Sequence, residues 1–353
     1  NRIIHSSETN DGITAASTCL RRQEVYSCDM TNRRKIGSMR DQTGRQMPAY
    51  RLSRDFIEFM DMQRSSGHPL ALVAVTSTEG SSYSKAGHLV LVDRNGRFAG
   101  LVSGGCLESD LAQRAARVID RNERAYVDYD LRDDDDVFGL GVGCDGVIRL
   151  VIEPLSRRNG YEPLASCVDR LAGSECAEIT VPCGEEGSDA PRRYRLFRPA
   201  NILVLGAGPD APPLLRIIDA LGWEATVNDH RQHFVDNLQQ PPSIVAYCNA
   251  AENIAQCVNL AYFDAAVVMS HNLAADRAYL AALARSDLGF IGLLGPPHRR
   301  ERLLEDLGSG TARLLDGRLR APVGRPIGGR GPAAIALEIA AELQEYVCSL
   351  ESA

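Results

Sequence analysis

The chain has 353 residues, a formal charge of −7 and 44% apolar residues, enough for about two domains with a core each and without the basic stripe of a nucleic-acid-binding protein. No apolar run reaches the roughly 18 to 20 residues that cross a bilayer, and the first fifty residues hold no apolar stretch of a secretory signal. The ten cysteines are scattered, with no C-x-x-C pair, so zinc-knuckle and thioredoxin-type readings have no support; a reducing cytoplasm is the expected setting.

Residues 1–50 are polar, rich in Ser, Thr, Arg and Asn, and carry neither a period of 2 nor one of 3.6, which reads as a disordered tail. Arg21-Arg22 and Arg33-Arg34-Lys35 read as solvated charge rather than an interaction arm. Met39 and Met47 could each be the translation start. Order is expected from Leu52, where Phe56, Ile57, Met60 and Met62 are spaced as an amphipathic helix, followed by the apolar run Leu70–Val75 of a buried strand. After the loop Ser77-Thr78-Glu79-Gly80-Ser81-Ser82, the runs Leu89–Val92 and Phe98–Val102 flank Asn95-Gly96, a hairpin signal.

The second hairpin strand runs into Ser103-Gly104-Gly105-Cys106-Leu107-Glu108, and Leu107, Leu111, Ala115, Val118 and Ile119 then recur at helical spacing. Cys106 is thereby placed at a strand-to-helix turn, beside the positive end of a helix dipole. A second cysteine, in Gly141-Val142-Gly143-Cys144-Asp145-Gly146, has a matching glycine setting. Glycines let backbone amides approach a bound group closely, and a thiol at a helix start is biased toward the nucleophilic, metal-ligating thiolate. A single free cysteine is more often a small core residue; two in matching settings make chemistry the better reading. Gly104, Gly105 and Gly143 are therefore candidate cofactor contacts beside Cys106 and Cys144, and the two thiols are candidate metal contacts. The four carboxylates Asp133–Asp136 read as a solvated loop, since adjacent residues cannot converge on one cation. A half-exposed strand, Ala125–Leu131, precedes them, and a buried one, Val147–Ile152, follows the glycine loop.

Residues 156–200 carry weaker signals, a helix around Leu164, Val168 and Leu171 and a strand at Ala177–Val181, and read as a connecting region. Cys167, Cys176 and Cys183 within it read as structural. A second domain over 201–345 opens with the strand Asn201–Leu205 and the turn Gly206-Ala207-Gly208-Pro209-Asp210-Ala211. This fits G-x-G-x-x-G/A, where Gly206 makes the turn and Gly208 admits a pyrophosphate. A strand over 225–229 ends in Asp229, where an acid would read a ribose hydroxyl. Strands over 265–269 and 290–295 alternate with a helix over 276–284, and a Gly/Pro loop over 321–332 opens an apolar closing helix. The expected fold class is α/β, an N-terminal α/β domain over 51–155 with the cysteine motifs and a C-terminal Rossmann-like, doubly wound parallel sheet. His271 and Asp276, at a strand end of that sheet, are candidate acid/base residues.

Taken in order from about Ala71 to Leu343, the set Gly80-Ser81-Ser82, Ser103–Glu108, Gly143–Gly146, the Gly206–Pro209 turn, Ile291-Gly292-Leu293-Leu294-Gly295 and Pro322-Val323-Gly324 with its helix resembles the XdhC/CoxI family. This chain departs from the family pattern at Tyr83-Ser84-Lys85, at Pro209 where a His is usual, and at Arg325-Pro326. The resemblance implies a non-enzymatic accessory factor that binds the molybdenum cofactor (molybdopterin), protects it while a cysteine desulfurase helps install its sulfido ligand, and delivers it to an apo xanthine dehydrogenase or related molybdenum hydroxylase. Cys106 and Cys144, 38 positions apart, would then share one site at the mouth between the domains, as metal contacts or persulfide relays.

Two alternatives stand beside this. The fingerprint alone suggests an NAD(P)-dependent oxidoreductase with His271 as acid/base, Asp229 favouring NAD over its 2′-phosphorylated form. An interaction scaffold with a vestigial Rossmann site is the other. The apolar closing helix is compatible with a homodimer, and nothing points to nucleic acid or membrane partners.

Overall fold

The computed structural model describes residues 47–131, 146–183 and 191–352. They fall into two compact units divided between Pro199 and Ala200, with Leu350 onward counted with the first. No helix among the described residues is long and apolar enough to cross a membrane.

The first unit is built on a five-stranded antiparallel sheet in the order β4-β3-β2-β6-β5, comprising β2 (Leu70–Gly80), β3 (Leu89–Asp93), β4 (Phe98–Ala99), β5 (Ala125–Asp130) and β6 (Gly146–Leu155). The central strand β2 is apolar without alternation because both of its faces are covered. Leu70, Leu72 and Ala74 point into one core, and Ala71, Val73 and Val75 into another. The helix α2 (Glu108–Arg121) covers the second face with Leu111, Ala115, Val118 and Ile119. The first face is covered by α1 (Arg54–Ser66), α3 (Leu164–Leu171) and a small sheet of β1 (Ala49–Arg51), β8 (Arg192–Phe197) and β7 (Cys176–Val181) in the order β1-β8-β7. Helix α1 starts where the Ser53 hydroxyl accepts from the Phe56 amide and ends at Gly67 with φ 71°, a serine cap and a left-handed glycine stop.

Residues 156–199 are thus part of this unit rather than a connector between domains. Leu164, Val168 and Leu171 of α3, Ala177, Ile179 and Val181 of β7, and Tyr194 and Leu196 of β8 lie in the same core as Phe56, Leu70 and Leu72. The polar faces of these short strands hide their contribution when the sequence is read alone.

The second unit is a six-stranded, all-parallel sheet in the order β11-β10-β9-β12-β13-β14. Its strands are β9 (Asn201–Leu205), β10 (Glu224–Asp229), β11 (Val245–Cys248), β12 (Ala265–Val268), β13 (Ile291–Leu293) and β14 (Leu319–Arg320). Counted within the unit this is 3-2-1-4-5-6, the Rossmann order, with its switch point between β9 and β12. Helices α4 (Ala211–Ala220) and α9 (Pro332–Ser352) pack against one face of the sheet. Helices α7 (Leu273–Ala284) and α8 (Pro297–Leu315), with α6 (Ile254–Cys257), pack against the other; α5 (Gln232–Asp236) lies after β10. Both faces are covered, which is why Ile202–Leu205 of β9 and all of β12 are uninterrupted apolar runs.

Candidate functional site

In the first unit the turn from β4 into α2 is held by one side-chain knot. The backbone amide and the hydroxyl of Ser103 donate to the Glu108 carboxylate at 2.9 and 2.6 Å. The Ser103 oxygen in turn accepts from the Leu107 amide at 3.1 Å and the Gly105 amide at 3.3 Å. Ser103 is 3% exposed, so its bond to the Leu107 amide is shielded from water, while Glu108 on the far side is half-buried. Among the described residues the Gly104 and Cys106 amides have no acceptor. The faces of Gly104 and Gly105 open on empty space, with nothing within 4 Å of a side chain built there, and Gly105 has φ 112°, a conformation only glycine adopts readily. Cys106 is half-buried and packs against the core that holds Val102, Leu107 and Leu111.

Two neighbouring segments brace this turn. Ser84, 1% exposed, donates to the Val102 carbonyl at 2.6 Å, tying the loop after β2 to the cysteine turn. Gly80 is in register with Gly146 across β2 and β6. A side chain on Gly146 would meet the carbonyl oxygens of Glu79 and Ser81 at 2.5 and 2.6 Å, so this glycine is required by close approach of the backbone. The loop that carries Gly143 and Cys144 lies outside the described residues, as do Asp133–Asp136. Cys167 differs from Cys106: it is buried, donates to carbonyl oxygens, and burial pushes its thiol up to about 11.

In the second unit the candidate residues gather at the carboxyl ends of the strands. Gly206 turns the chain with φ 131°. Asp229 is fully buried. Its Oδ2 accepts from the Ala207 amide at 2.8 Å and from Arg231 Nη2 at 2.9 Å, and its Oδ1 from the Arg231 amide and Nε, each at 2.9 Å. Burial alone would raise its carboxyl, but the Arg231 fork and the two amides outweigh it and hold Asp229 below the usual carboxylate range. Arg231 Nη2 also reaches the Ser270 carbonyl at 2.9 Å. The Ser270 hydroxyl donates to Asp276, whose other oxygen takes a fork from Arg299 at 2.6 and 3.2 Å.

His271 and Asp276, read from the sequence as one acid/base pair, are given separate partners. Asp276 is fully buried and neutralised by Arg299. His271 has φ 56° and a half-exposed ring, and its Nε2 lies 2.7 Å from Asp210 Oδ2. Ser103, Glu108 and Asp210 stand inside the motifs without a role of their own in the sequence, and Arg231 and Arg299 stand outside them. The Ser103-to-Glu108 spacing at a helix start resembles a stretched capping box, a usable signal. Arg299 had none, because it lies 23 positions from Asp276 and meets it only in the fold, whereas Arg231, two positions after Asp229, is within local reach. Among the described residues no group of three or more His, Cys, Asp or Glu side chains forms a metal site.

Comparison with known proteins places both halves. Residues 202–343 match the model of the XdhC Rossmann domain, and residues 63–130 match that of the XdhC and CoxI family. A relative from Bacillus subtilis (strain 168), described as a probable subunit of xanthine dehydrogenase, is 28% identical over 325 residues, covering 82% of this chain and 96% of the relative. The "molybdenum cofactor insertion chaperone PaoD" of Escherichia coli (strain K12) is 22% identical over 303 residues, covering 82% and 87%. The crystal structure of a protein described as a xanthine dehydrogenase from Bacillus halodurans superposes with a TM-score of 0.71 at 25% identity, over 84% of this chain and 96% of the other. With its cysteine turn in the N-terminal match and its six-stranded sheet in the C-terminal one, the chain belongs to the XdhC and CoxI family.

Proposed function

We propose that the protein is an accessory factor that carries the molybdenum cofactor as cargo and inserts it into a xanthine dehydrogenase-like molybdenum hydroxylase. The observation that supports this most is the Cys106 turn. Cys106 is half-buried, its own amide and that of Gly104 have no acceptor among the described residues, and Gly104 and Gly105 beside it face open space. A pterin dithiolene bound to molybdenum, ending in a phosphate, asks for a soft sulfur near the metal and N–H donors near the anion. Cys106 would offer the sulfur and the Gly104 and Cys106 amides the donors, with Cys144 and Gly143 as further contacts. The names of the relatives supply the client, and PaoD supplies the insertion role.

The finer step, in which a cysteine desulfurase charges the cofactor with its terminal sulfide while this chain holds it, belongs to the same proposal. So does a homodimer. The test is purification from a cofactor-producing host with assay of molybdenum and oxidised pterin. The proposal expects both in the wild type and a loss of about tenfold or more in Cys106→Ser or Cys144→Ser, a little over 1 kcal/mol of binding. Wild-type protein devoid of both, even when supplied with free cofactor, would sink it. A nicotinamide-dependent oxidoreductase, the reading the fingerprint alone raises, is disfavoured by the partners of Asp229 and His271.

A further inference from the structure

A Rossmann sheet with a G-x-G-x-x-A turn implies a dinucleotide, yet the residues around this turn do not fit one. A dinucleotide is gripped by backbone amides and a helix start at its pyrophosphate and by an acidic strand end at its ribose. We infer that this domain excludes NAD(H) and NADP(H), because the chain's own groups take the ribose grip, remove most donors of the pyrophosphate grip and set a carboxylate and an imidazole before those that remain. This inference does not rest on the cargo reading.

The pyrophosphate grip keeps two amides, those of Gly208 and Asp210, which have no acceptor among the described residues, and loses the rest. Between Ala207 and Pro213, the residues Pro209, Pro212 and Pro213 have no N–H to offer. The Ala207 amide is spent on Asp229 at 2.8 Å and the Ala211 amide on the Gly208 carbonyl at 3.0 Å. The charge is wrong as well. Asp210 sets a carboxylate immediately before α4, where the field of the helix would otherwise draw a phosphate, and His271 pins it there at 2.7 Å. The His271 ring also covers Gly208: its Cδ2 is the atom a side chain on that glycine would meet first, at 3.8 Å. A pyrophosphate entering here meets an imidazole and a like charge.

The ribose grip is taken too. Both oxygens of Asp229 are committed to Arg231 and to backbone amides. The same guanidinium stacks on Phe234, its carbon 4.1 Å from the ring centre. Arg231 cannot be turned to a 2′-phosphate without stripping a buried carboxylate of its counter-charge, which is costly. The acidic strand end is thus closed to a ribose hydroxyl in both forms of the nicotinamide cofactor.

Isothermal titration of the full chain with NAD+, NADH, NADP+ and NADPH should give no saturable binding up to about 1 mM, while Pro209→Gly/Asp210→Ala/His271→Gly should bind inorganic pyrophosphate at least about tenfold more tightly than the wild type. Pro209 is exposed and the other two side chains make only the pair described, so the variant should fold; its circular dichroism is recorded alongside. If it does not fold, Asp210→Ala alone is compared in the same way. Saturable binding of any of the four dinucleotides to the wild type below about 100 µM would overturn the inference. So would a folded variant with no gain for pyrophosphate, because exclusion would then not lie in these side chains.

Discussion

The Ser103 hydroxyl donates to Glu108 Oε2 at 2.6 Å while its oxygen accepts the Leu107 amide at 3.1 Å. The direction of the first bond fixes the second, since a hydroxyl that gives its proton to a carboxylate keeps its lone pairs for amides. Glu108→Gln keeps the shape but sets an NH2 where an acceptor stood. Exchange of the Gly105 and Leu107 amides should then rise about tenfold, equivalent to one lost hydrogen bond of roughly 1 kcal/mol. Ser103→Ala should do the same. Hydrogen exchange followed by NMR checks both, and unchanged protection in the two variants would mean the turn is held by its backbone alone.

Thiol reactivity should sort by burial. Cys257 and Cys348 are exposed, Cys106 is half-buried, and Cys167 and Cys183 are buried, with burial pushing Cys167 up to about 11. At pH 8 the thiolate fraction of Cys167 is then roughly one in a thousand, far below that of an unperturbed cysteine. Peptide-resolved alkylation should label Cys257 and Cys348 first, Cys106 next and Cys167 at least about a hundredfold more slowly than the exposed pair. Labelling of Cys167 ahead of Cys106 would contradict the packing described for the turn.

Arg299 is the counter-charge of a fully buried carboxylate. Arg299→Ala leaves Asp276 with the Ser270 hydroxyl alone, and removing one partner of a buried pair costs about 3 to 5 kcal/mol. The guanidinium is itself 21% exposed, so water reaches the vacated side and the lower figure applies. A fall of roughly 10 °C in the melting temperature of the second unit is expected. Arg299→Ala/Asp276→Asn should recover most of it, as the amide no longer needs a cation.

How much of this was legible in the chain depends on the range of the signal. The strand Asn201–Leu205 and the helix after Cys106 were readable because apolar periodicity is local, and the fingerprint because its glycines are adjacent. Strand β8 was not, since Arg192, Arg193 and Arg195 give it the look of a polar loop until β1 and β7 pair with it. Helix α8 was missed for a similar reason: Gly308 breaks it with φ 77°, and only Leu303 and Leu315 are buried, so it has no continuous apolar stripe. The site shows the same split. Cys106 and Gly105 could be named from the sequence, and Arg231 lies only two positions from Asp229, but Arg299 on Asp276 and His271 over Gly208 come from residues 23 and 63 positions apart that only the fold brings together.

The acid limb of stability should carry the mark of Asp229. Its carboxyl is held below the ordinary range in the folded state, so its contribution is full above the unfolded value near 4 and is lost as the pH falls through the lower, folded value. Asp229→Asn should be less stable than the wild type at pH 7, and the gap should close below pH 4 as the wild type loses what the variant never had. Thermal melts at pH 7, 5, 4 and 3 follow the difference. A gap that widens on acidification would reverse the sign and require another group to carry it.

The two fingerprint glycines should separate fold from ligand. At Gly206 a methyl group would strike the Met269 carbonyl oxygen at 2.5 Å and its carbon at 2.6 Å, with φ at 131° besides. Neither neighbour can yield, because Met269 directly follows β12, which is paired with β9 along its length. Gly206→Ala is therefore expected to cost roughly 3 kcal/mol or more and to lower the soluble yield. At Gly208 the same methyl would meet only the His271 ring, at 3.8 Å and with no positive φ. Gly208→Ala should melt within about 2 °C of the wild type. In a working dinucleotide turn both glycines are needed, the first for the bend and the second for the pyrophosphate. A Gly208→Ala variant that is stable and still loads and delivers molybdenum cofactor would place the demand for glycine in this turn on the backbone of β12. Loss of delivery in a well-folded Gly208→Ala protein would instead bring the turn into contact with the cargo.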